Sequence, residues 1–404
     1  MKKRIVYADH NATTPLSPEA LEAMGPYLKT VYGNASSLHV FGQESKKALE
    51  DAREAIAGLI NAEKPEEIIF TSGGTESDNM AIKGLALSSL NKGKHIITTQ
   101  VEHHAVLTTC EYLAANGFKA DFVGVDKFCR VNPKDIINAV KPDTFLVSVM
   151  HANNEVGVIE PIAEIAKLLN IENEKRRSAG HPKIYFHTDA VQSAGKLKLD
   201  VAALGVDMLS ISAHKFYGPK GVGAIYVKRG TPVEPILHGG HHERNLRAGT
   251  ENIAGIKGMA KALEAACRER EKEQPRLYFL RDRLEKGIVE KIPETTVNGH
   301  YLERISGTLN VSFKYVEGES LMLSLDLEGI AASTGSACAS GSSEPSHVLK
   351  AMGADPATAQ GALRFSFGHQ NTDEDIDYIL EVLPRIVSRL RAMSPWWAKE
   401  HPQQ

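Results

Sequence analysis

MLSISAHKFYGPKG, residues 208–221, begins as a short apolar run and ends in a glycine- and proline-rich turn, with His214 and Lys215 at the junction. A lysine carried to the end of a buried strand loses solvation, and no carboxylate lies close by in sequence. Either it snorkels out to water or it is kept for chemistry. Similar runs recur at EIIF (67–70), HIITT (95–99), FLVSVM (145–150), KIYFHTDA (183–190) and GAIYVK (223–228). Between several of them lie segments with helical spacing, such as TESDNMAIKGLALSSL (75–90) and PIAEIAKLLNIENEKR (161–176). Upstream, residues 43–60 place Ala48, Ala52, Ile56, Leu59 and Ile60 on one helical stripe. Strands alternating with helices predict an α/β fold with a mostly parallel sheet covered on both faces. Ligands of such a sheet bind at the carboxyl ends of its strands, where Lys215 falls.

The pattern changes after about residue 260. Charged helical segments (252–273 and 275–291) precede two runs with period-two alternation, GTLNVSFKYV (307–316) and ALRFSFG (362–368), which read as half-buried strands. Thr372 is placed to cap a last helix, with Asp373, Glu374 and Asp375 at its positive end, and Pro384 to kink it. The expected organisation is a large α/β domain over 15–260 and a smaller α+β domain made of 1–14 and 261–404.

Of the 404 residues, 42% are apolar and 24% charged, and the net charge of -3 supplies no basic field for nucleic acid or an anionic membrane. The apolar part of MKKRIVYADH is too short for a signal peptide, and no stretch approaches the ~18 apolar residues of a membrane span. A cytoplasmic protein is expected. The four cysteines, Cys110, Cys129, Cys267 and Cys338, form no C-x-x-C pair and no disulfide framework. The first three read as small apolar packing.

Four stretches converge on the strand ends. TSGGTESDN (71–79) sets two glycines after a strand and opens a helix at Thr75, where free N–H groups suit a phosphate; an ordinary glycine turn reads the same way. FHTDAVQS (186–193) ends a strand in Asp189, a costly place for a bare carboxylate unless a cation faces it or it caps a helix; Gln192 follows. Ser212 and His214 flank Lys215 as candidate phosphate donors. VEHHAV (101–106) puts His103 after a strand, either over a flat aromatic ligand or as a satisfied polar residue. Together a phosphate cup, a strand-end aspartate, a lysine and a histidine match the needs of pyridoxal 5'-phosphate. The lysine would form the Schiff base and the aspartate would keep the pyridine nitrogen protonated.

These residues, with YADHNATTP, GNASSLHVFG, HANNEVG, RAGTEN, GSACASGSSEPSHVL and RFSFG, resemble the class V aminotransferase superfamily of fold type I. Within it the chain is similar to the cysteine desulfurases of the NifS/IscS type, over almost its whole length. The resemblance implies that Lys215 holds the cofactor, Asp189 pairs with the pyridine nitrogen, Gln192 reaches the ring hydroxyl, and His103 stacks on the ring and relays protons. It assigns the phosphate to Gly74, Thr75, Ser212 and His214, joined by Thr250 from the partner subunit of a homodimer. It sets Asn154 near ring and substrate and gives Arg364 the substrate carboxylate, which a planar fork suits. Ala35, Ala213, His369 and the longer segment 171–185 depart from the usual pattern without removing a catalytic group.

Cys338 sits in STGSACASGSSEPS (333–346), a segment of small residues expected to be mobile. It is either an incidental exposed thiol or a nucleophile that visits the cofactor and leaves. The resemblance implies the second: Lys215 takes the α-proton of L-cysteine, and the Cys338 thiolate attacks the substrate sulfur with His103 as proton acceptor. A persulfide remains on Cys338 and L-alanine departs. The loop is of the longer kind, so the expected use is iron–sulfur cluster assembly through a scaffold or sulfur-acceptor protein, with transient iron–sulfur ligation by Cys338 during handover. The alternatives are a selenocysteine lyase or another β-eliminating or transaminating enzyme and, in a different class, a low-turnover docking platform. HGGHHER (238–244) offers His238, His241 and His242 for zinc, but its glycines favour a turn near the subunit interface.

Overall fold

Each apolar run of the first half forms a strand of one sheet. The computed structural model describes residues 4–334 and 345–401. Its strands are β1 (Val6–Tyr7), β2 (Ile68–Thr71), β3 (His95–Thr99), β4 (Lys119–Val123), β5 (Thr144–Ser148), β6 (Tyr185–Asp189), β7 (Met208–Ser212), β8 (Gly223–Val227), β9 (Thr295–Asn298), β10 (Thr308–Phe313), β11 (Ile330–Ala331) and β12 (Ala362–Ser366). The large sheet has the order β2-β8-β7-β6-β5-β3-β4. Only β8 runs against its neighbours. The fold is therefore α/β, as the alternation predicts.

The central strands are buried on both faces, which is why they read as continuous apolar runs. Alternate residues still serve different cores. Ile97, Val147, Leu209, Ile211 and Ala224 face one helical layer, with helices Val40–Leu59, Ile162–Ala179 and the start of Ile253–Lys291. Ile96, Leu146, Met208 and Ile225 face the other, against Met80, Ile82, Val106 and Leu113. Strand β4 lacks this signature. KADFV is an edge strand whose side chains stay partly exposed, so no apolar run announces it.

A second sheet, β12-β10-β9, is antiparallel. Leu309, Val311 and Phe313 point into a core with Leu363, Phe365, Leu383 and Leu284. The polar alternates of β10 are not solvated, contrary to the half-buried expectation. Asn310 accepts from Asn298 Nδ2 at 2.8 Å and donates to the carbonyl of Glu155, and Thr308 Oγ1 accepts from Asn11 at 3.0 Å. Those partners from the first half of the chain cover the polar face.

The two charged helical segments expected on either side of Pro275 form one helix, Ile253–Lys291. An internal proline removes a backbone bond and costs about 3 kcal/mol. Ile256, Met259 and Leu263 on its first half and Leu277, Leu280, Leu284 and Ile288 on its second are buried in the two different cores. At roughly 1.5–3 kcal/mol per buried large side chain, that burial outweighs the break. Thr372 and Asp375 form a reciprocal cap on helix Asp373–Ala392, which contains Pro384.

Candidate active site

Strand β7 hands Ser212 to a turn of 3-10 helix, Ala213–Lys215, so Lys215 leaves the sheet at its carboxyl edge. It enters a cavity of about 390 Å³. The wall is built from chain that follows five strands: Gly74 and Thr75 after β2, His103 after β3, Met150 and Asn154 after β5, Asp189 and Gln192 at and after β6, and Ser212, His214 and Lys215 at and after β7. Asn11, Ala12 and Arg364 close it from the other side. All the cavity residues expected from the sequence within the described chain, Thr250 apart, thus meet in one place.

Lys215 Nζ donates to the backbone oxygens of Asn11 at 2.7 Å and Ala12 at 2.8 Å. Asp189 is buried, and its Oδ1 accepts from the Val191 N–H at 2.8 Å. Burial pushes its carboxyl up to about 6, while the Lys215 charge draws it down. Beneath it lies Asp78, fully buried and held well above the usual carboxylate range by burial and by Asp189. Asp78 Oδ1 has no hydrogen-bond partner among the described residues and stands 3.6 Å from His187 Nε2. His187 is itself tied to Ser148 and Ser210 at 2.9 Å each.

His103 caps helix His104–Ala115, its Nδ1 accepting from the Ala105 N–H at 3.1 Å. Burial, then Lys215, lowers its pKa to about 4. The ring is therefore neutral at pH 7, with its proton on Nε2. His214, near Thr13 Oγ1 at 3.1 Å, is likewise lowered to about 4, first by burial. Gly73, at φ 155° and ψ -177°, takes a conformation open to glycine and precedes the helix that starts at Gly74. A Cβ on Gly74 would stand 2.7 Å from Val191 Cγ2. The glycine thus keeps open the ground between Thr75 and Ser212. Arg364 is buried, with Nη1 donating to the Asn154 carbonyl at 2.8 Å and Nη2 to Asp9 Oδ1 at 2.6 Å.

These residues fit pyridoxal 5'-phosphate. A glycine-shaped cup with Ser212 and His214 suits the phosphate, a neutral imidazole suits the ring face, and the buried, poorly compensated pair Asp189 and Asp78 calls for a cation such as a pyridinium.

A strand-end lysine and aspartate across such a cavity define a pyridoxal-phosphate enzyme. The aminotransferase class-V family model matches residues 6–379. A cysteine desulfurase IscS of Dictyoglomus turgidum is 53% identical over 394 residues, covering 98% of this chain and 97% of that one. Among solved structures, a NifS-like protein superposes with a TM-score of 0.88 at 39% identity, covering 96% of this chain and 100% of that chain. SspA in complex with cysteine gives 0.77 at 34%, covering 90% and 98%. The chain belongs to the class-V aminotransferase family and, within it, to the cysteine desulfurases, which depend on pyridoxal phosphate.

Of the expected residues within the described chain, Thr250 is not in the cavity wall. Thr250 lies exposed before the long helix. Cys338 lies outside the described residues, and with it the expected persulfide and iron–sulfur ligation. Among the described residues no group of three or more His, Cys, Asp or Glu is arranged to hold a metal. In HGGHHER, Glu243 instead pairs with buried Arg53 at 2.7 Å, and His241 meets Asn245 at 2.6 Å. Cys110 and Cys129 are buried, and burial pushes the Cys110 thiol up to about 12, which leaves it inert. The sequence reading missed Asn11, Asp78 and Glu155 in the cavity wall. Asn11 lies in YADHNATTP, but no local spacing marks it as a cavity residue, and Asp78 is masked by the helical pattern around it.

Proposed function

We propose that the chain removes sulfur from L-cysteine, releases L-alanine and holds the sulfur as a persulfide on Cys338 for iron–sulfur cluster assembly. The observation that carries this reading is one cavity in which Lys215, Asp189, His103 and Arg364 all line the wall. Pyridoxal 5'-phosphate bound through Lys215 supplies an electron sink for the substrate α-carbon. Asp189, anchored by the Val191 N–H, favours a protonated ring nitrogen, because a facing cation draws its raised carboxyl back to the ionised form. Gly74, Thr75, Ser212 and His214 take the phosphate. Gln192 turns toward the ring hydroxyl.

Lys215, once exchanged for the substrate amine, moves the α-proton. Its Nζ is held at the cavity wall by two backbone carbonyls, which places it where the substrate α-carbon would sit. Arg364 offers its fork to the substrate carboxylate beside Asn154. A neutral His103 takes a proton only on Nδ1, which the Ala105 N–H holds. Proton uptake from the Cys338 thiol therefore requires that bond to open.

We assign a cofactor domain to 15–260 and a smaller domain to 1–14 with 261–404, supported by the separate cores on the two sheets. Thr250, exposed on the 238–250 segment, supports a homodimer in which it reaches the partner's phosphate. Among the described residues no helix is long and apolar enough to cross a membrane, in keeping with a cytoplasmic place.

The test is mass spectrometry after incubation with L-cysteine. A sulfur adduct on the Cys338 peptide with one L-alanine per sulfur is expected. Absence of alanine favours a docking platform. Cys338→Ala is expected to stop sulfur release from cysteine; if it spares attack on selenocysteine and that is the faster substrate, a selenocysteine lyase is the better reading.

A further inference from the structure

Lys196 is not among the residues that line the large cavity, yet it grips two that do. The residue is partly exposed, but its ammonium is surrounded by protein. Nζ donates to Gln192 Oε1 at 3.1 Å and to Asn11 Oδ1 at 3.2 Å. An ammonium has three donors and no acceptor, so both contacted atoms must be amide oxygens. The remaining bonds agree. Asn11 Nδ2 donates to the Asn154 carbonyl at 3.2 Å and Thr308 Oγ1 at 3.0 Å, and Gln192 Nε2 donates to the Asn11 carbonyl at 2.9 Å. That same carbonyl accepts from Lys215 Nζ. Lys196, Lys215 and Asn11 also share a second, smaller cavity of about 30 Å³, with His10 beside them.

We propose that Lys196 is a positioning residue for the cofactor: its ammonium turns the Gln192 amide so that N–H, and not C=O, faces the ring oxygen, and it adds a positive charge behind the Lys215 nitrogen. This rests on the assignment of Lys215 and Gln192 to pyridoxal phosphate. A donor on the ring oxygen and a nearby cation both favour loss of the proton shared between the ring oxygen and the Lys215 nitrogen. Without Lys196 the amide keeps only its bond to the Asn11 carbonyl, and the anchor on its oxygen and the nearby charge are lost with the same sign. Burial, then Lys215 and Arg364, push the Lys196 ammonium down to about 7. The negative phosphate of the cofactor acts in the opposite sense.

Other charges face these two lysines. Arg364, paired with Asp9, and His10, lowered to about 4 chiefly by burial, lie near Lys196. Asp189, His103 and His214 lie near Lys215. Arg270, Glu273 and His369 line the smaller cavity, with Glu273 already bonded to Arg276 and His369. None of them contacts Gln192 Oε1 among the described residues; Lys196 on the oxygen and the Asn11 carbonyl on the nitrogen together set that amide.

The test is a pH titration of the visible absorbance of cofactor-loaded protein, wild type against Lys196→Gln and Lys196→Arg. Lys196→Gln is expected to raise the midpoint by about one pH unit, a roughly tenfold gain in proton affinity, while Lys196→Arg keeps the wild-type midpoint. A Lys196→Gln midpoint equal to wild type, with or without a fall in melting temperature, overturns the proposal. So does an arginine variant that shifts as far as the glutamine one. If Lys196→Gln does not fold, Lys196→Met, which keeps the apolar stem, is read by the same criteria. Wild-type protein with no visible chromophore after cofactor addition would instead refute the cofactor assignment itself.

Discussion

Lys215 Nζ and the backbone oxygen of Asn11 lie 2.7 Å apart although 204 positions separate them in sequence. The bond ties the end of the central strand to the N-terminal segment that closes the cavity. Lys215→Ala is expected to keep the fold, because the lost contacts are to carbonyls that water can serve. It should abolish the borohydride-trapped cofactor adduct and lower desulfuration by about 10²–10⁴-fold or more. Mass of the reduced protein and turnover with L-cysteine check both parts.

Asp189→Asn removes the charge that favours a protonated ring nitrogen but keeps an oxygen for the Val191 N–H. Turnover is expected to drop by about 10²-fold or more while cofactor stays bound, read from activity and absorbance of the same sample.

Arg364→Lys keeps a charge beside Asp9 and loses the planar fork. Loss of one charged hydrogen bond, about 1.5–3 kcal/mol, corresponds to a rise in KM for L-cysteine of roughly 10–150-fold. Steady-state kinetics decides; an unchanged KM removes Arg364 from the substrate site.

Arg53 and Glu243 form a buried pair, with Arg53 also donating to the Ile68 carbonyl and Glu243 accepting from Phe70 N–H. Residues 243–245 all have positive φ, 45°, 56° and 67°. The pair thus holds a strained turn against β2. Arg53→Ala strands a carboxylate and is expected to cost about 3–5 kcal/mol in denaturant unfolding.

Burial lifts the Glu102 carboxyl from 4.5 to about 8. Its Oε1 accepts from Thr99 and Met150, and Oε2 has no partner among the described residues. A raised carboxyl means the folded protein keeps a proton that the unfolded chain releases. Its contribution is full below about pH 4.5 and lost as pH rises toward 8. Glu102→Gln mimics the protonated form. It is expected to raise stability at pH 8 by a few kcal/mol relative to wild type, with little change at pH 5, in cofactor-free thermal unfolding.

The large sheet was legible because central parallel strands are apolar on both faces, so HIITT, FLVSV and MLSIS announce themselves. KADFV, at the edge, stays partly exposed along its length and carries Lys119 and Asp121, so no apolar run announces it. The expected helix over 75–90 is instead Gly74–Asn79 followed by a wider turn of π-helix at Met80–Gly84. Packing of Met80 and Ile82 against the sheet, which no local spacing reports, accompanies that change. In the site, Lys215, Asp189 and His103 were legible because polar groups at the ends of apolar runs are costly without a use. Asn11, Asp78 and Lys196 were not. Their roles arise from neighbours more than 100 positions away or from amide orientation, neither of which a one-dimensional pattern carries.

The 253–291 helix runs unbroken through Pro275, with one end in each core. The two cores are therefore joined by a single rod rather than by a slack tether. Cleaving the chain within that rod would leave each half-helix seated on its own core, with the rigid link between the cores lost.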